Sequence, residues 1–180
     1  MTLRALIVDG MVNTRKEFIN KYWFVSVLST CNTNLMPSVV IAQAILESSD
    51  GNSILAIKYN NFFGIKGQGV ILNTPKDPTP KSSFKVYAFP FFSFWDHRKL
   101  LTTAKRYEEV LLGKDYIEQC TALSYSGYAG INSNYGKVLI SLIKQNDLQK
   151  YDNKFRFYII AFGGFFVILA LFRSLWQKIK

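Results

Sequence analysis

Glu47 is the acidic residue with the clearest chemical potential, because it ends the otherwise apolar segment PSVVIAQAILES at residues 37–48. A proline suits the first position of a helix, and the Asp-Gly pair that follows the segment suits its end. On such a helix Glu47 shares a face with Gln43 and Ala44. Desolvation on this apolar face and the negative end of the helix dipole both favour the neutral carboxyl. A neutral carboxyl can donate a proton to a glycosidic oxygen. The alternative is a solvated glutamate at a helix end, with no chemical role.

The loop after this helix, NNFFGIKG at residues 60–67, has side chains that suit the binding of a sugar. The amides of Asn60 and Asn61 can donate to and accept from hydroxyl and acetamido groups. Phe62 and Phe63 can offer an apolar face to the same ligand. The alternative is a tight turn whose aromatic side chains belong to the core.

The elements that must position these residues are mainly helical. Thr14 and Glu17 form a capping-box pattern that opens the first helix. Ser53 and Ser93 have the side chains of helix caps, and Gly113 suits a helix end. The predicted helices cover residues 14–29, 37–48, 53–59, 93–112, 115–124 and 134–148.

Between the third and fourth of these helices the pattern changes to that of a β-hairpin. VIL at residues 70–72 and SFKVYAF at residues 83–89 have the alternation of strands. The segment NTPKDPTPK that joins them holds three prolines and predicts a long, stiff loop. The predicted fold class is therefore mainly α (α+β), with an α lobe and a small β-hairpin lobe.

The composition favours some kinds of partner and excludes others. The net charge of +10 favours an anionic partner such as a lipid surface or a cell-wall polymer. The sequence has no run of lysine and arginine interleaved with aromatic residues, which is the pattern that would indicate nucleic-acid binding. His97 is the only histidine, and Cys31 and Cys120 lie far apart, so a zinc site of the usual kind is not expected. We predict no metal and no organic cofactor.

A transmembrane helix is predicted at the C-terminal end. The uncharged stretch FYIIAFGGFFVILALF at residues 157–172 extends with its flanks to residues 155–176. As a helix the longer segment would measure about 33 Å at roughly 1.5 Å per residue, which matches a hydrocarbon core about 30 Å thick. The alternative is a buried helix of a soluble domain. Residues 1–13 lack the pattern of a signal peptide, so another route of delivery is expected.

Four segments together resemble the family-73 glycoside hydrolases, the bacterial and phage N-acetylglucosaminidases that cut peptidoglycan. The segments are PSVVIAQAILESSDGNSILAIKYNNFFGIKG, SFWDHRKLLTTAKRY, GYAGINSNYGKVLISLI and DLQKYD. The resemblance covers residues 14–152 and implies a lysozyme-like fold with a groove between the two lobes. It also implies that the partner is the glycan strands of peptidoglycan.

The resemblance further implies roles for individual residues. Glu47 would be the general acid, and Tyr128 would line the catalytic centre. Asn61, Phe62 and Tyr135 match motif positions near the groove, where Tyr135 would contact substrate.

The sequence departs from the family pattern where a second carboxylate is expected on the hairpin. Asp77 is the one acid between Gly64 and Pro90. We predict it as the general base of an inverting reaction, which needs two carboxyl groups about 6.5–9.5 Å apart. Asp50 is the alternative. Without a second carboxylate, either the acetamido group of the substrate or Glu47 itself would complete the reaction, the latter as a lytic transglycosylase.

The sequence thus predicts a peptidoglycan hydrolase anchored in a membrane, with residues 153–180 as the anchor and its basic tail. The membrane would be that of a virion or the inner membrane of a bacterium, and a phage would use such an enzyme for entry or lysis. The rival prediction is a wall-binding or structural membrane protein that kept the fold without the activity.

Overall fold

The computed structural model describes residues 12–74, 77–130 and 134–152, with the backbone alone at 73–74 and 77–81. Helices dominate, and the strands form one antiparallel pair. In chain order the elements are α1 (Arg15–Thr30), α2 (Pro37–Ser48), α3 (Ile54–Tyr59), β1 (Lys66–Thr74), β2 (Asp77–Phe84), α4 (Pro90–Thr103), a 3-10 turn (Lys105–Tyr107), α5 (Glu108–Leu112), α6 (Tyr116–Tyr125) and α7 (Tyr135–Gln145).

Helix α2 is the centre of the helical lobe. Ten of its twelve residues are buried, and the two exposed ones are Leu46 and Glu47. Helices α1, α6 and α7 pack around it, and their side chains, such as Phe18, Leu123 and Leu139, join its own in one apolar core. Burying one such side chain contributes roughly 1.5–3 kcal/mol. This packing fixes α2 and, with it, the position of Glu47.

The start of α2 is capped from a distant part of the chain. Pro37 occupies the first helical position as predicted, and Met36 before it provides no side-chain cap. Instead the Asp152 carboxylate accepts hydrogen bonds from the Ser38 backbone N and Oγ, at 2.8 and 2.7 Å. Burial raises the pKa of Asp152 to about 6, although the hydrogen bonds from Ser38 oppose the shift. The last described residue of the chain therefore holds the N-terminal end of the central helix.

The other end of α2 is fastened to the start of the described chain. The chain leaves α2 through three residues with positive φ, at 49–51. Asp50 in this turn accepts hydrogen bonds from Arg15 at 2.8 and 3.1 Å, and Asn52 exchanges hydrogen bonds with the backbone of Asn13. Because Arg15 engages the Asp50 carboxylate, the structure does not favour Asp50 as the second catalytic acid.

The hairpin has a different register from the predicted one. The prediction placed strands at 70–72 and 83–89, whereas the pairing joins Ile71 to Ser83 and Thr74 to Asp77. Both strands thus extend into the proline-rich segment, since β1 runs from Lys66 to Thr74 and β2 runs from Asp77 to Phe84. The prediction was wrong because it interpreted a segment that suits neither a helix nor a central strand as a loop. In a sheet of two strands both are edge strands, which accept proline at positions whose N–H would face away from the partner strand.

The helix predicted over 93–112 is divided in the structure. Helix α4 begins at Pro90, which occupies a first-turn position suited to proline. It ends before Ala104, whose backbone is extended (φ −83°, ψ 120°). Ser93, predicted as the cap, is buried inside α4, where its Oγ accepts a hydrogen bond from Phe62 N at 3.4 Å.

Gly113 ends α5 as predicted, but not by a left-handed conformation. Its φ is −60°, which any residue can adopt. A Cβ at this position would lie 2.8 Å from Cγ and 2.9 Å from the backbone N of Gln119. Glycine is needed here because α6 approaches closely.

No helix in the described ranges is both long and apolar enough to cross a membrane. The predicted anchor at 155–176 and residues 1–11 of the predicted N-terminal extension at 1–13 lie outside the described residues. Cys31 is half-buried and Cys120 is buried, and each is a free thiol.

Candidate active site

Glu47 lies in the last turn of α2 with its side chain at the protein surface. Its Oε1 accepts a hydrogen bond from the Tyr135 hydroxyl at 2.9 Å. The sequence predicted a desolvated carboxyl on an apolar face, and this is corrected by the structure. The apolar face belongs to the earlier turns of α2, whereas neighbouring helices leave Leu46 and Glu47 uncovered. Glu47 is therefore accessible to a ligand while the helix beneath it is rigid.

Tyr135 connects Glu47 to the core. Its ring is buried at the first position of α7, and its hydroxyl accepts a hydrogen bond from Gln43 Nε2 at 3.2 Å. Gln43 is fully buried one turn before Glu47 on α2. Burial raises the pKa of Tyr135, so the phenol stays a neutral donor. The predicted contact of Tyr135 with substrate stays a prediction, and the structure shows its hydroxyl bonded to the Glu47 carboxylate.

The close approach of α7 to α6 allows Tyr135 to reach this place. Gly136 N donates a hydrogen bond to Ser124 Oγ at 2.8 Å. A Cβ at Gly136 would collide with the carbonyl oxygen of Cys120 and with Ser124 Oγ. The sequence analysis missed this glycine, although it directly follows the tyrosine of the motif.

Tyr128 stands beside Tyr135. The two rings are 5.6 Å apart and inclined by 29°, and Tyr128 is half-buried. Burial is the main cause that raises the pKa of Tyr128, and the negative charge of Glu47 adds to it. Tyr128 is thus a neutral phenol, close enough to Glu47 for the carboxylate charge to raise its pKa further.

His97 lies under this pair of tyrosines. Its ring is fully buried and stacks on Phe63 with centroids 3.9 Å apart, and it meets Tyr128 edge to face at 5.7 Å. Within the described ranges neither ring nitrogen has a hydrogen-bond partner. Burial lowers the pKa of His97 to about 3, so the imidazole is neutral at ordinary pH.

The side-chain amides of the asparagine and phenylalanine loop bind the backbone around the hairpin. Asn60 Nδ2 donates to the carbonyl oxygens of Tyr87 and Ala88. Asn61 is buried, and its side chain donates to two backbone carbonyls and accepts from one backbone N–H.

Phe62 and Phe63 are buried in the aromatic core around Phe94. The burial of Asn61, Phe62 and Phe63 does not favour the predicted contacts with substrate, whereas for the half-buried Asn60 this contact stays a prediction. Their polar atoms hold the backbone on both sides of the hairpin, and their rings fill the core.

A second connection between hairpin and helical lobe was missed by the sequence analysis. Asp96 on α4 accepts hydrogen bonds from Lys85 Nζ and the Tyr87 hydroxyl, both at 2.7 Å. Burial acts to raise the pKa of Asp96, but these hydrogen bonds outweigh it and the pKa is lowered. The aspartate was visible in the SFWDH segment, but its partners beyond β2 follow only from the fold.

The second catalytic group stays a prediction. Asp77 begins β2 opposite Thr74, and it is one of the residues described by backbone alone. Among the described residues no cluster of three histidine, cysteine or acidic side chains could hold a metal ion. The arrangement around Glu47 is therefore one surface carboxylate supported by two neutral phenols and a buried amide.

Replacing Tyr135 by phenylalanine should lower kcat about 10- to 100-fold, because Glu47, the candidate general acid, loses its fixed position, an effect within the range of misplaced catalytic groups. We expect the free energy of unfolding to fall by about 1–2 kcal/mol, since Gln43 loses a partner in the core. Initial rates on purified peptidoglycan and urea unfolding measure the two effects. Tyr116→Phe, which removes a hydroxyl at the start of α6, is the matched control. An unchanged kcat in Tyr135→Phe would exclude the positioning role.

Sequence comparison places the described fold among known proteins. A family profile described as "Glucosaminidase: Mannosyl-glycoprotein endo-beta-N-acetylglucosaminidase" matches residues 29–148. "Exo-glucosaminidase LytG" of Bacillus subtilis is 38% identical over 133 residues, which are 66% of this chain and 47% of that protein. A "Probable N-acetylmuramidase" of Lactococcus lactis is 30% identical over 161 residues, 81% of this chain and 37% of the relative. The chain thus spans less than half the length of these relatives.

Structural comparison agrees with this result. The catalytic domain of the autolysin Auto from Listeria monocytogenes has a TM-score of 0.66 at 26% identity, and the match covers 84% of this chain and 98% of that one. An N-acetylmuramoyl-L-alanine amidase structure from Staphylococcus aureus has a TM-score of 0.67 at 28% identity, covering 78% and 44% of the two chains. The predicted mainly helical fold with a small two-stranded sheet is confirmed, and it is consistent with the lysozyme-like fold.

Proposed function

Because the chain belongs to the glucosaminidase family of glycoside hydrolases, we propose that it cleaves peptidoglycan at the β-1,4 bond next to N-acetylglucosamine. One observation carries this proposal. Glu47 is the acid exposed on an otherwise buried helix, and the buried Tyr135 holds it at 2.9 Å. The net charge of +10 suits a wall polymer that carries carboxylates on its peptides.

In this proposal Glu47 protonates the glycosidic oxygen as the bond to the sugar breaks. Tyr135 and Gln43 keep the carboxyl group in one orientation, so that little ordering is needed when the glycan binds. Tyr128 is a neutral phenol whose ring packs against that of Tyr135. The remaining step needs a group that directs water to the anomeric carbon, and Asp77 is our candidate.

A lytic transglycosylase is the second candidate function. It is favoured by the engagement of Asp50 by Arg15, which removes one of the two predicted partners of Glu47. In that reaction Glu47 would first donate a proton and then accept one from the sugar, which would close an anhydro ring. A protein that binds the wall without cutting it is the third outcome to be tested.

We further propose that residues 155–176 anchor the domain in a membrane, either in a virion or in the bacterial inner membrane. The support is the uncharged stretch of this segment and its flanking basic residues in the sequence. A phage would then use the enzyme for entry or lysis. Detection of the chain in the membrane fraction of purified virions would favour the first location over the second.

Mass spectrometry of the fragments released from purified peptidoglycan by the full chain tests the proposed reaction. Fragments with reducing N-acetylglucosamine ends are the expected result. Anhydro-sugar ends would show a transglycosylase, and reducing N-acetylmuramic acid ends would show a muramidase. Release of no fragments by the folded protein would contradict all three reactions and leave wall binding.

A further inference from the structure

A second site lies between α5 and α6. A surface cavity of about 540 Å³ opens there, within the size range of ligand pockets. Its apolar wall includes Tyr125 and Leu112, which are 75% and 66% exposed. Large apolar side chains that are this exposed and gathered around one cavity indicate a surface on which a ligand binds.

The charged side chains of the cavity are available for a ligand. Arg106 and Glu109 line it, and in the part of the chain that the structure describes neither forms a salt bridge. The Arg106 guanidinium lies over the ring of Tyr107, 4.6 Å from its centroid, which keeps the charge in place. Glu118 also lines the cavity, and its carboxylate accepts a hydrogen bond from the Lys114 backbone N at 2.8 Å. Arg106 and Glu109 are then one cation and one anion beside an apolar wall, which suits a short zwitterionic peptide.

The buried ring of Tyr107 separates the cavity from the candidate active site. The ring of Tyr107, over which the Arg106 guanidinium lies, has its centroid 6.1 Å from that of Tyr128. The charge of Arg106 also acts on Tyr128, where it opposes the rise in pKa that burial causes. A glycan strand bound at Glu47 and Tyr128 would therefore bring the groups attached to its sugars close to Arg106.

We propose that this cavity binds the stem peptide of peptidoglycan, with Arg106 pairing a peptide carboxylate and Glu109 an amine. Tyr125 and Leu112 cover the alanine methyl groups and the peptide backbone. The inference rests on the proposed function, since it assumes that the glycan strand lies beside Glu47. It adds that the protein distinguishes strands that carry peptides from strands that lack them.

The test compares peptidoglycan strands that carry their peptides with strands stripped of them by an amidase. We expect the full chain to have a kcat/KM about tenfold higher on the peptide-bearing strands, mainly through KM. Arg106→Ala should reduce this ratio to near one, and Arg106→Lys should retain part of it because the charge remains. Lys105→Ala, which removes the neighbouring exposed charge outside the cavity, should keep the ratio of the unaltered protein.

A binding measurement makes the test independent of cleavage. Fluorescence anisotropy of labelled soluble strands, with Glu47→Gln in the background, should show about tenfold tighter binding of peptide-bearing strands and loss of this difference in Arg106→Ala. Equal binding of both kinds of strand would overturn the stem-peptide site, whatever the activity. Selective binding without cleavage by the unaltered protein would support the site and contradict the proposed hydrolase.

Discussion

Replacing Glu47 by glutamine is expected to lower kcat on peptidoglycan by about 10²–10⁴-fold, the usual contribution of a general acid. Glutamine keeps the size of the side chain and can still accept a hydrogen bond from Tyr135, but it has no acidic proton to donate. KM should change little, because the remaining contacts with the glycan stay. Release of soluble sugar from purified peptidoglycan measures both constants.

The variant should fold normally, because Glu47 is exposed at the end of α2. Glu108→Gln, which removes an exposed carboxylate at the start of α5, is the control for charge and should retain full activity. If Glu47→Gln kept more than half the activity of the unaltered protein, Glu47 would not be the general acid. Asp77 would then be the next acid to replace.

The second large effect concerns stability at low pH and depends on His97. Its pKa in the folded protein is about 3, below the ordinary value of about 6.5 that applies to the unfolded chain. Below pH 6.5 His97 therefore takes up a proton in the unfolded chain but stays neutral in the folded protein. The stability present at neutral pH is lost as the pH falls. At about 1.4 kcal/mol per pH unit, this predicts a loss of about 3 kcal/mol between pH 7 and pH 4.

His97→Phe should abolish this part of the pH dependence. The phenyl ring can keep the stacking on Phe63, and no hydrogen bond to the described residues is lost. Urea unfolding of both proteins from pH 7 to pH 4 measures the difference in slope. Asp152 acts in the opposite direction, because its raised pKa makes the folded state gain protons as the pH falls. This contribution is common to both proteins and cancels, so parallel curves would contradict the buried neutral imidazole.

Local signals in the sequence were sufficient for the helices that carry the site. Pro37, the Thr14–Glu17 capping box and Ser53 all mark helix starts that the structure contains. They act within one turn, so they need no knowledge of the tertiary fold. The break before Ala104 has no such signal, because the surrounding residues are all compatible with a helix.

The roles of individual polar residues were harder to predict. Helical periodicity placed Glu47 and Gln43 on related faces, but it cannot show which turn a neighbouring helix leaves uncovered. The side-chain amide of Asn61 could hydrogen-bond either a sugar or the backbone. Only the folded hairpin shows that it binds the backbone. Arg106 and Glu109 gave no pattern in the sequence, since their shared cavity forms where α5 meets α6.

The hydrogen bonds that hold the two ends of α2 give this helix a mechanical role. Tension applied between residues 13 and 152 enters α2 at both ends, through Asn52 at one and Ser38 at the other. The helix would carry this load along roughly 18 Å, at about 1.5 Å per residue, and Glu47 sits in its last turn. A tether or fusion attached at either end therefore pulls on the helix that holds the acid, and trimming the chain inside residues 13–152 releases one of its two attachments.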